Sequence, residues 1–231
     1  MRESDWSSDV CSSDLTGHVE LMKAITKEEI PIETGWLPNE AVWSYNAAIV
    51  AQVYLWVGMP ELARKTFIGF LNHASPLYAW REEQPLRDSA INKYIGDMPH
   101  NWASAECIRY LRHMMILEDA DKLRLLDGVG LEDLEPRKPF SLIYSPTRWG
   151  RVSVTLEPLD TKAWTVTFKR EDFDASLAPK LINIEMPRQL PGNFDFDKMT
   201  ETDKYMKNGP RVVIDPTVVQ WQGIYRNFRK R

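Results

Sequence analysis

The chain of 231 residues is 43% hydrophobic and 27% charged, which is ordinary for a globular protein and excludes general disorder. Its formal net charge of −4 argues against nucleic acid as the main partner, because phosphate binding requires a basic surface. No apolar run approaches the roughly 20 residues of a membrane span, so no membrane partner is predicted either.

The first 15 residues differ in character from the rest of the chain. Residues 5–15, DWSSDVCSSDL, resemble one reading frame of a sequencing-library adapter translated into protein. We therefore expect residues 1–15 to be artefactual and disordered, in a sequence of bacterial, metagenomic origin. Cys11 is then not biological, which leaves Cys107 alone and predicts no disulfide. The natural protein is expected to extend upstream of Thr16.

Helical patterns dominate the first half of the remaining chain. Residues 18–29 carry apolar side chains at helical spacing, and residues 40–57 are apolar nearly all round, as in a helix buried on most sides. Gly58 and Pro60 separate that helix from another over residues 61–74. The short connection predicts an antiparallel αα-hairpin.

A long polar loop, residues 75–99, precedes a further predicted helix over residues 100–117, and residues 122–126 indicate a short strand or turn. Beyond Pro139 the spacing of apolar residues changes from the helical period to the period of a strand. Alternation of apolar and polar residues, or a short β-branched run, predicts strands in four segments. These segments are residues 151–157, 163–169, 181–186 and 211–214.

Helices followed by strands indicate separate layers or domains. We therefore predict a mostly α region, residues 16–135, followed by an antiparallel β-sandwich-like module, residues 136–231. Residues 190–209 are expected to form a polar loop.

The long loop contains Glu82 and Glu83 next to Trp80. A loop of this length inside a compact domain is usually functional. Glycoside hydrolysis requires two carboxyl groups, and in the inverting mode one of them activates a water as general base. Two solvated acids and a core tryptophan are the alternative interpretation of the same residues.

The segment GDMPHNWASAE adds further polar and aromatic candidates at the start of the next helix: Asp97, His100, Trp102 and Glu106. Asp97 and His100 would bind a ligand or else hold the loop and cap the helix. An ion pair between Glu106 and Arg109 is as plausible as ligand contact. The four histidines lack the spacing of a zinc site, so neither a metal nor a cofactor is predicted.

These motifs together resemble those of a known family. The order TGW…WSYNAAIVAQVY, AWREEQ…GDMPHNWASAECIRYLRHMM and DGVGL is similar to the last hairpins of (α/α)6 six-hairpin glycosidases, in particular the glucoamylase and bacterial debranching-type members. The resemblance covers roughly residues 21–134. It implies a partial (α/α)6 toroid with Glu82 as general base. Arg81 stands where relatives often have proline, which leaves Glu83 open as the alternative base.

The resemblance also implies a substrate and a missing partner. A carbohydrate would lie against a rim formed by tryptophans, with Asp97 and His100 bonding its hydroxyls; the rim residues are Trp36, Trp43, Trp80 and Trp102. The general acid would come from missing N-terminal hairpins of the parent chain, so this fragment of an inverting glycoside hydrolase is expected to be inactive alone. A phosphorylase is a close variant. A non-catalytic carbohydrate-binding or structural accessory module is the alternative.

Overall fold

The structure is a computed structural model, and it describes residues 41–85, 96–134, 138–174, 176–187, 192–195, 205–208 and 210–227. The chain divides into two compact units, which we call unit 1 (Met1–His113) and unit 2 (Met114–Arg231). The predicted boundary at residue 135 lies further along the chain. The predicted helix over residues 18–29 and the candidate artefact at residues 1–15 lie outside the described residues.

The described part of unit 1 is mainly helical, with one small two-stranded sheet. Its elements are β1 (Ala41–Trp43), α1 (Ser44–Trp56), α2 (Pro60–Asn72), β2 (Glu83–Pro85) and α3 (Asn101–Met115), the last of which ends just inside unit 2. No described helix is long and apolar enough to cross a membrane.

The predicted hairpin of α1 and α2 is confirmed. α1 buries residues on nearly all sides, as its sequence indicates. Gly58 ends it with φ +75°, a backbone conformation that glycine adopts without strain, and the Met59 N–H donates to Tyr54 O at 2.8 Å. Pro60 then opens α2 at its first turn. The two helices pack against each other directly.

Aromatic rings form the core of unit 1. Phe67 of α2 stacks on Tyr110 of α3 with centroids 3.9 Å apart, and Phe70 stacks on Trp80 at 4.5 Å. The Trp80 indole N–H donates to the Phe70 carbonyl at 3.0 Å, which satisfies the one polar atom of a buried side chain. Trp80 therefore belongs to the core.

Unit 2 is built from strands. Within its described residues these are β3 (Ile116–Asp119), β4 (Lys122–Leu125), β5 (Phe140–Thr147), β6 (Gly150–Asp160), β7 (Ala163–Glu171), β8 (Leu181–Glu185), β9 (Gly192–Asp195), β10 (Tyr205–Asn208), β11 (Arg211–Ile214) and β12 (Gln220–Asn227). A short 3-10 helix, Leu131–Asp133, follows β4. The four predicted strand segments are all present, and two further strands, β9 and β10, lie in the predicted polar loop.

These strands form two five-stranded sheets. One is antiparallel throughout, in the order β5-β6-β7-β12-β9. The other has the order β10-β11-β8-β4-β3 and is mixed, because β4 and β8 run parallel. Alternate residues of β6, Val152, Val154 and Leu156, are fully buried, as the period-two pattern predicts.

The predicted fold class, a partial (α/α)6 toroid followed by an antiparallel sandwich, is wrong. The described residues contain three α-helices, and strands in three sheets make up 40% of the structure. Among the described residues, only α1 and α2 follow one another without an intervening strand. β2 then pairs back onto β1, and α3 leads directly into β3 of the mixed sheet. The hairpin signal at Gly58 and Pro60 is local and does not specify what the hairpin packs against.

The buried acids of unit 2 form ion pairs with arginines. Arg124 of β4 contacts Asp127 and also donates to Asp119 at 3.1 Å. Arg211 of β11 donates twice to Oε2 of Glu185, from Nε at 3.0 Å and Nη2 at 2.5 Å. Burial raises the pKa of Asp127, and the neighbouring Glu185 carboxyl raises it further, while Arg124 opposes both effects.

Candidate functional site

Pairing of β1 with β2 brings two acids to the start of α1. Trp43 lies opposite Glu83 in the antiparallel register, and the Ser44 N–H donates to the Glu82 carbonyl at 3.2 Å. The Trp43 indole N–H donates to Glu83 Oε1 at 3.1 Å. The pairing therefore fixes both glutamates next to the aromatic residues that open the helix.

A second chain segment runs beside these glutamates. The Glu82 N–H donates to the Asp97 carbonyl at 3.0 Å, and the His100 N–H donates to the Trp80 carbonyl at 2.8 Å. Gly96 makes the approach possible: a Cβ at this position would lie 2.6 Å from the Glu82 Cβ. Only a residue without a side chain allows the two segments to lie this close.

The two segments gather a polar trio of Glu82, Asp97 and His100. Each side chain offers one potential ligand atom, and these atoms all lie within 4.8 Å of one another. Asp97 Oδ1 lies 2.6 Å from His100 Nδ1. The His100 side chain is only 9% exposed, and its Nε2 has no hydrogen-bond partner among the residues that the structure describes. The Asp97 side chain, by contrast, is 65% exposed.

Aromatic rings flank the trio. Tyr45 lies at the centre of this group, with ring centroids 6.2 Å from Trp43, 5.2 Å from His100 and 5.7 Å from Trp102. The Tyr45–Trp102 contact is edge-to-face, a favoured aromatic geometry. Trp102 is 66% exposed, so much of its ring surface is open to solvent.

The charges of Glu82 and Glu83 affect the ionisation of Tyr45. Burial raises the pKa of the Tyr45 phenol, and the negative charges of Glu82 and Glu83 raise it further. Both carboxylates therefore act on the same ring that contacts His100 and Trp102. We call this group the acid–aromatic cluster; its members are Trp43, Tyr45, Glu82, Glu83, Asp97, His100 and Trp102.

The cluster contains most of the residues that the sequence singled out. Trp43, both glutamates, Asp97, His100 and Trp102 come together, whereas Trp80 is a core residue that points its indole N–H at Phe70. Trp36 lies outside the described residues. Tyr45 was not predicted. Its place depends on the pairing of two three-residue strands, for which the sequence carries no periodic signal.

Glu106 belongs to a separate network. It accepts from Arg109 Nη1 at 2.6 Å and from Gln52 Nε2 at 2.5 Å, and Gln52 Oε1 lies 2.9 Å from His113 Nδ1. Burial lowers the pKa of His113 to about 3, and Arg112 and Arg109 lower it as well. The ion-pair interpretation of Glu106 is confirmed, and we assign it a role in joining α1 to α3.

The two candidate bases differ in their surroundings. Glu83 accepts from Trp43, whereas the Glu82 carboxylate makes no hydrogen bond or ion pair within the described ranges. The Glu82 and Asp97 carboxylates are closer than the roughly 6.5–9.5 Å that separates acid and base in inverting glycosidases. Asp97 is therefore too near Glu82 to act as its general acid.

Comparison with known proteins adds no assignment. No family model matches the chain, and no curated protein matches it.

Proposed function

We propose that the acid–aromatic cluster binds a carbohydrate and supplies the general base of an inverting glycoside hydrolysis. The observation that carries the proposal is the Glu82 carboxylate, which has no partner among the described residues and lies beside the Asp97–His100 pair and the Tyr45–Trp102 rings. Acids next to open aromatic faces suit a ligand with apolar C–H faces and many hydroxyls.

Binding would use the aromatic and polar parts of the cluster differently. The exposed ring of Trp102 offers a surface on which a sugar face can stack. Asp97 accepts hydroxyl protons, and His100, whose Nε2 is buried, orients the Asp97 carboxylate when Nδ1 carries the proton and donates to it. Tyr45 holds His100 and Trp102 in position by ring contact.

Catalysis would use Glu82 as the base and Glu83 to position Trp43. A free carboxylate can hold a water and take its proton, whereas an oxygen that already accepts from an indole N–H is less available. The general acid would be a carboxyl group outside the cluster, because the inverting mechanism places it across the scissile bond.

Turnover in an active enzyme that contains this chain tests the base. Glu82→Gln is expected to lower kcat by roughly 10²–10⁴-fold, the usual contribution of a general base. Glu83→Gln removes a charge near Tyr45 but keeps an oxygen that can accept from Trp43, and it is expected to have a smaller effect. Near-normal turnover of the Glu82 variant would exclude the assignment.

Sugar binding by the 231-residue chain tests the recognition surface. Titration with a panel of oligosaccharides, followed by calorimetry, is expected to show binding that Trp102→Ala abolishes. Ile108→Ala is the matched control, because Ile108 is an equally exposed apolar residue of α3, at 68%, outside the cluster. Equal loss in both variants would mean that the contact is not specific.

A non-catalytic carbohydrate-binding module is the second candidate. It is favoured by the close approach of the Glu82 and Asp97 carboxylates, since a cluster without a correctly spaced acid can bind a sugar but cannot cleave it. In that case the Trp102 variant loses binding, and the Glu82 variant leaves the turnover of the parent enzyme unchanged.

A further inference from the structure

We propose that Glu82, Asp97 and His100 also bind a divalent transition-metal cation, with Zn²⁺ and Mn²⁺ as the best-suited ions. The three side chains offer two carboxylates and an imidazole, with one ligand atom from each within 4.8 Å of the others. Catalytic metal sites commonly have three protein ligands of these types.

The charge around the trio favours a cation. Neither the Glu82 nor the Asp97 carboxylate makes an ion pair with a lysine or arginine in the described parts of the chain, and the Asp97 carboxylate bonds His100. Glu83 follows directly and accepts a neutral indole N–H. Like charges at this separation repel, and a bound cation removes that repulsion.

His100 presents Nδ1 to the trio. This nitrogen lies 2.6 Å from Asp97 Oδ1, close to the separation of two ligand atoms on one cation. The His100 side chain is more than nine-tenths buried, so little conformational entropy is lost when the ring binds a cation. Ligation through Nδ1 keeps the ring proton on Nε2 and replaces the hydrogen bond to Asp97.

The spacing requires the ligands to close around the cation. Bonds of about 2.1 Å place the ligands of one tetrahedral cation about 3.4 Å apart, so ligand atoms that lie within 4.8 Å of one another need to approach by at most about 1.4 Å. The Asp97 side chain is 65% exposed and can move by this amount. An imidazole in the ligand set selects transition metals over Ca²⁺ and Mg²⁺, which prefer oxygen.

The spacing of histidines along the sequence predicts no metal site, because the ligands of the trio come from two chain segments and only one of them is a histidine. A cation would also take up the carboxylate oxygen that Glu82 needs as a base. Cation and sugar are therefore expected to compete. Cation binding itself does not depend on the proposed sugar chemistry.

Calorimetric titration of the full chain, without an affinity tag, with ZnCl₂ and separately with MnCl₂ tests the proposal. We expect one site, with affinity reduced by more than about 100-fold in Glu82→Gln and His100→Ala, and by about 10- to 100-fold in Asp97→Asn. His73→Ala is the matched control, since His73 follows α2 and lies outside the cluster. It should bind as the wild type does.

Circular dichroism of each variant separates loss of a ligand from loss of folding, and the isosteric Glu82→Gln keeps the test valid if His100→Ala fails to fold. Absence of binding by the wild type would overturn the proposal, and so would equal affinity in wild type, Glu82→Gln and His100→Ala. Oligosaccharide titration in the presence of EDTA tests the sugar site separately. Sugar binding there without any cation binding would overturn the metal site alone.

Discussion

Both units contain a pair of neighbouring carboxyl groups, and the two pairs differ in what neutralises them. In unit 2, Asp127 and Glu185 are largely buried, and each is held by an arginine. In unit 1, Glu82 and Asp97 have no lysine or arginine partner in the described ranges, and Asp97 is mostly exposed. The difference separates acids that stabilise a sheet from acids that remain available to a ligand.

The largest expected effect on stability comes from removing the arginine partner of a buried acid in unit 2. Arg124→Met leaves Asp127 without its cation in a site where both side chains are only 12% exposed. We expect unit 2 to lose about 3 kcal/mol at neutral pH, as for other broken buried pairs. Hydrogen exchange in β4 and β8, followed by mass spectrometry, would report the loss. Unchanged protection would show that the pair contributes nothing.

A smaller effect on stability is expected in unit 1, where the chain segment at Gly96 lies against the segment at Glu82. Gly96→Ala places a Cβ 2.6 Å from the Glu82 Cβ and 2.9 Å from the Glu83 backbone nitrogen. The clash should lower the free energy of unfolding by about 1–3 kcal/mol and abolish ligand binding.

Gly58→Ala is the control for this substitution. It introduces an alanine at φ +75° with no atom within 4 Å of its Cβ, so it adds backbone strain of about 1 kcal/mol without a clash. Its ligand binding should remain. Equal binding by both variants would contradict the role of Gly96.

The stability of unit 2 should depend on pH through the ionisation of Asp127. Its pKa is raised in the folded state, above the usual 3.8, chiefly by burial, so the protonated acid is favoured by folding. The resulting stability is fully present below the unfolded pKa and is lost as pH rises through the folded pKa. Denaturation from pH 3 upward should show this decline, and Asp127→Asn should remove it. An identical slope in the variant would contradict the assignment.

The smallest expected effect on stability belongs to the exposed acid of unit 1. Asp97→Asn should change the free energy of unfolding by no more than about 1 kcal/mol, because a mostly exposed partner contributes little. The His100 ring should nevertheless respond, since Nδ1 loses its carboxylate acceptor. Nitrogen NMR of the imidazole would detect the change, and a large loss of stability would show that Asp97 is structural.

Local signals in the sequence predicted the local structure. Gly58 and Pro60 delimit the helical hairpin, and the alternation in residues 151–157 and 163–169 marks β6 and β7. Pairing between distant segments carries no such signal. Neither the β1–β2 ribbon nor the parallel contact of β4 with β8 is visible in the sequence, and the toroid prediction failed for this reason.

The candidate site, like the fold, was predictable only from local features of the sequence. Residue type and loop context selected Glu82, Glu83 and His100. Trp80 and Trp102 look alike in the sequence, yet one fills the core beside Phe70 and the other is exposed, because helix packing decides which face is covered. Residue type alone cannot make that distinction.

The parallel contact between β4 and β8 has a consequence for synthesis of the chain. The β3–β4 hairpin can form as soon as Leu125 has been made, but the other edge of β4 pairs with Leu181–Glu185. Until the ribosome has added that segment, β4 presents open backbone N–H and C=O groups to any other strand. Nascent or truncated chains that end before residue 181 are therefore expected to aggregate through β4, whereas α1 and α2, which are close in sequence, can fold early.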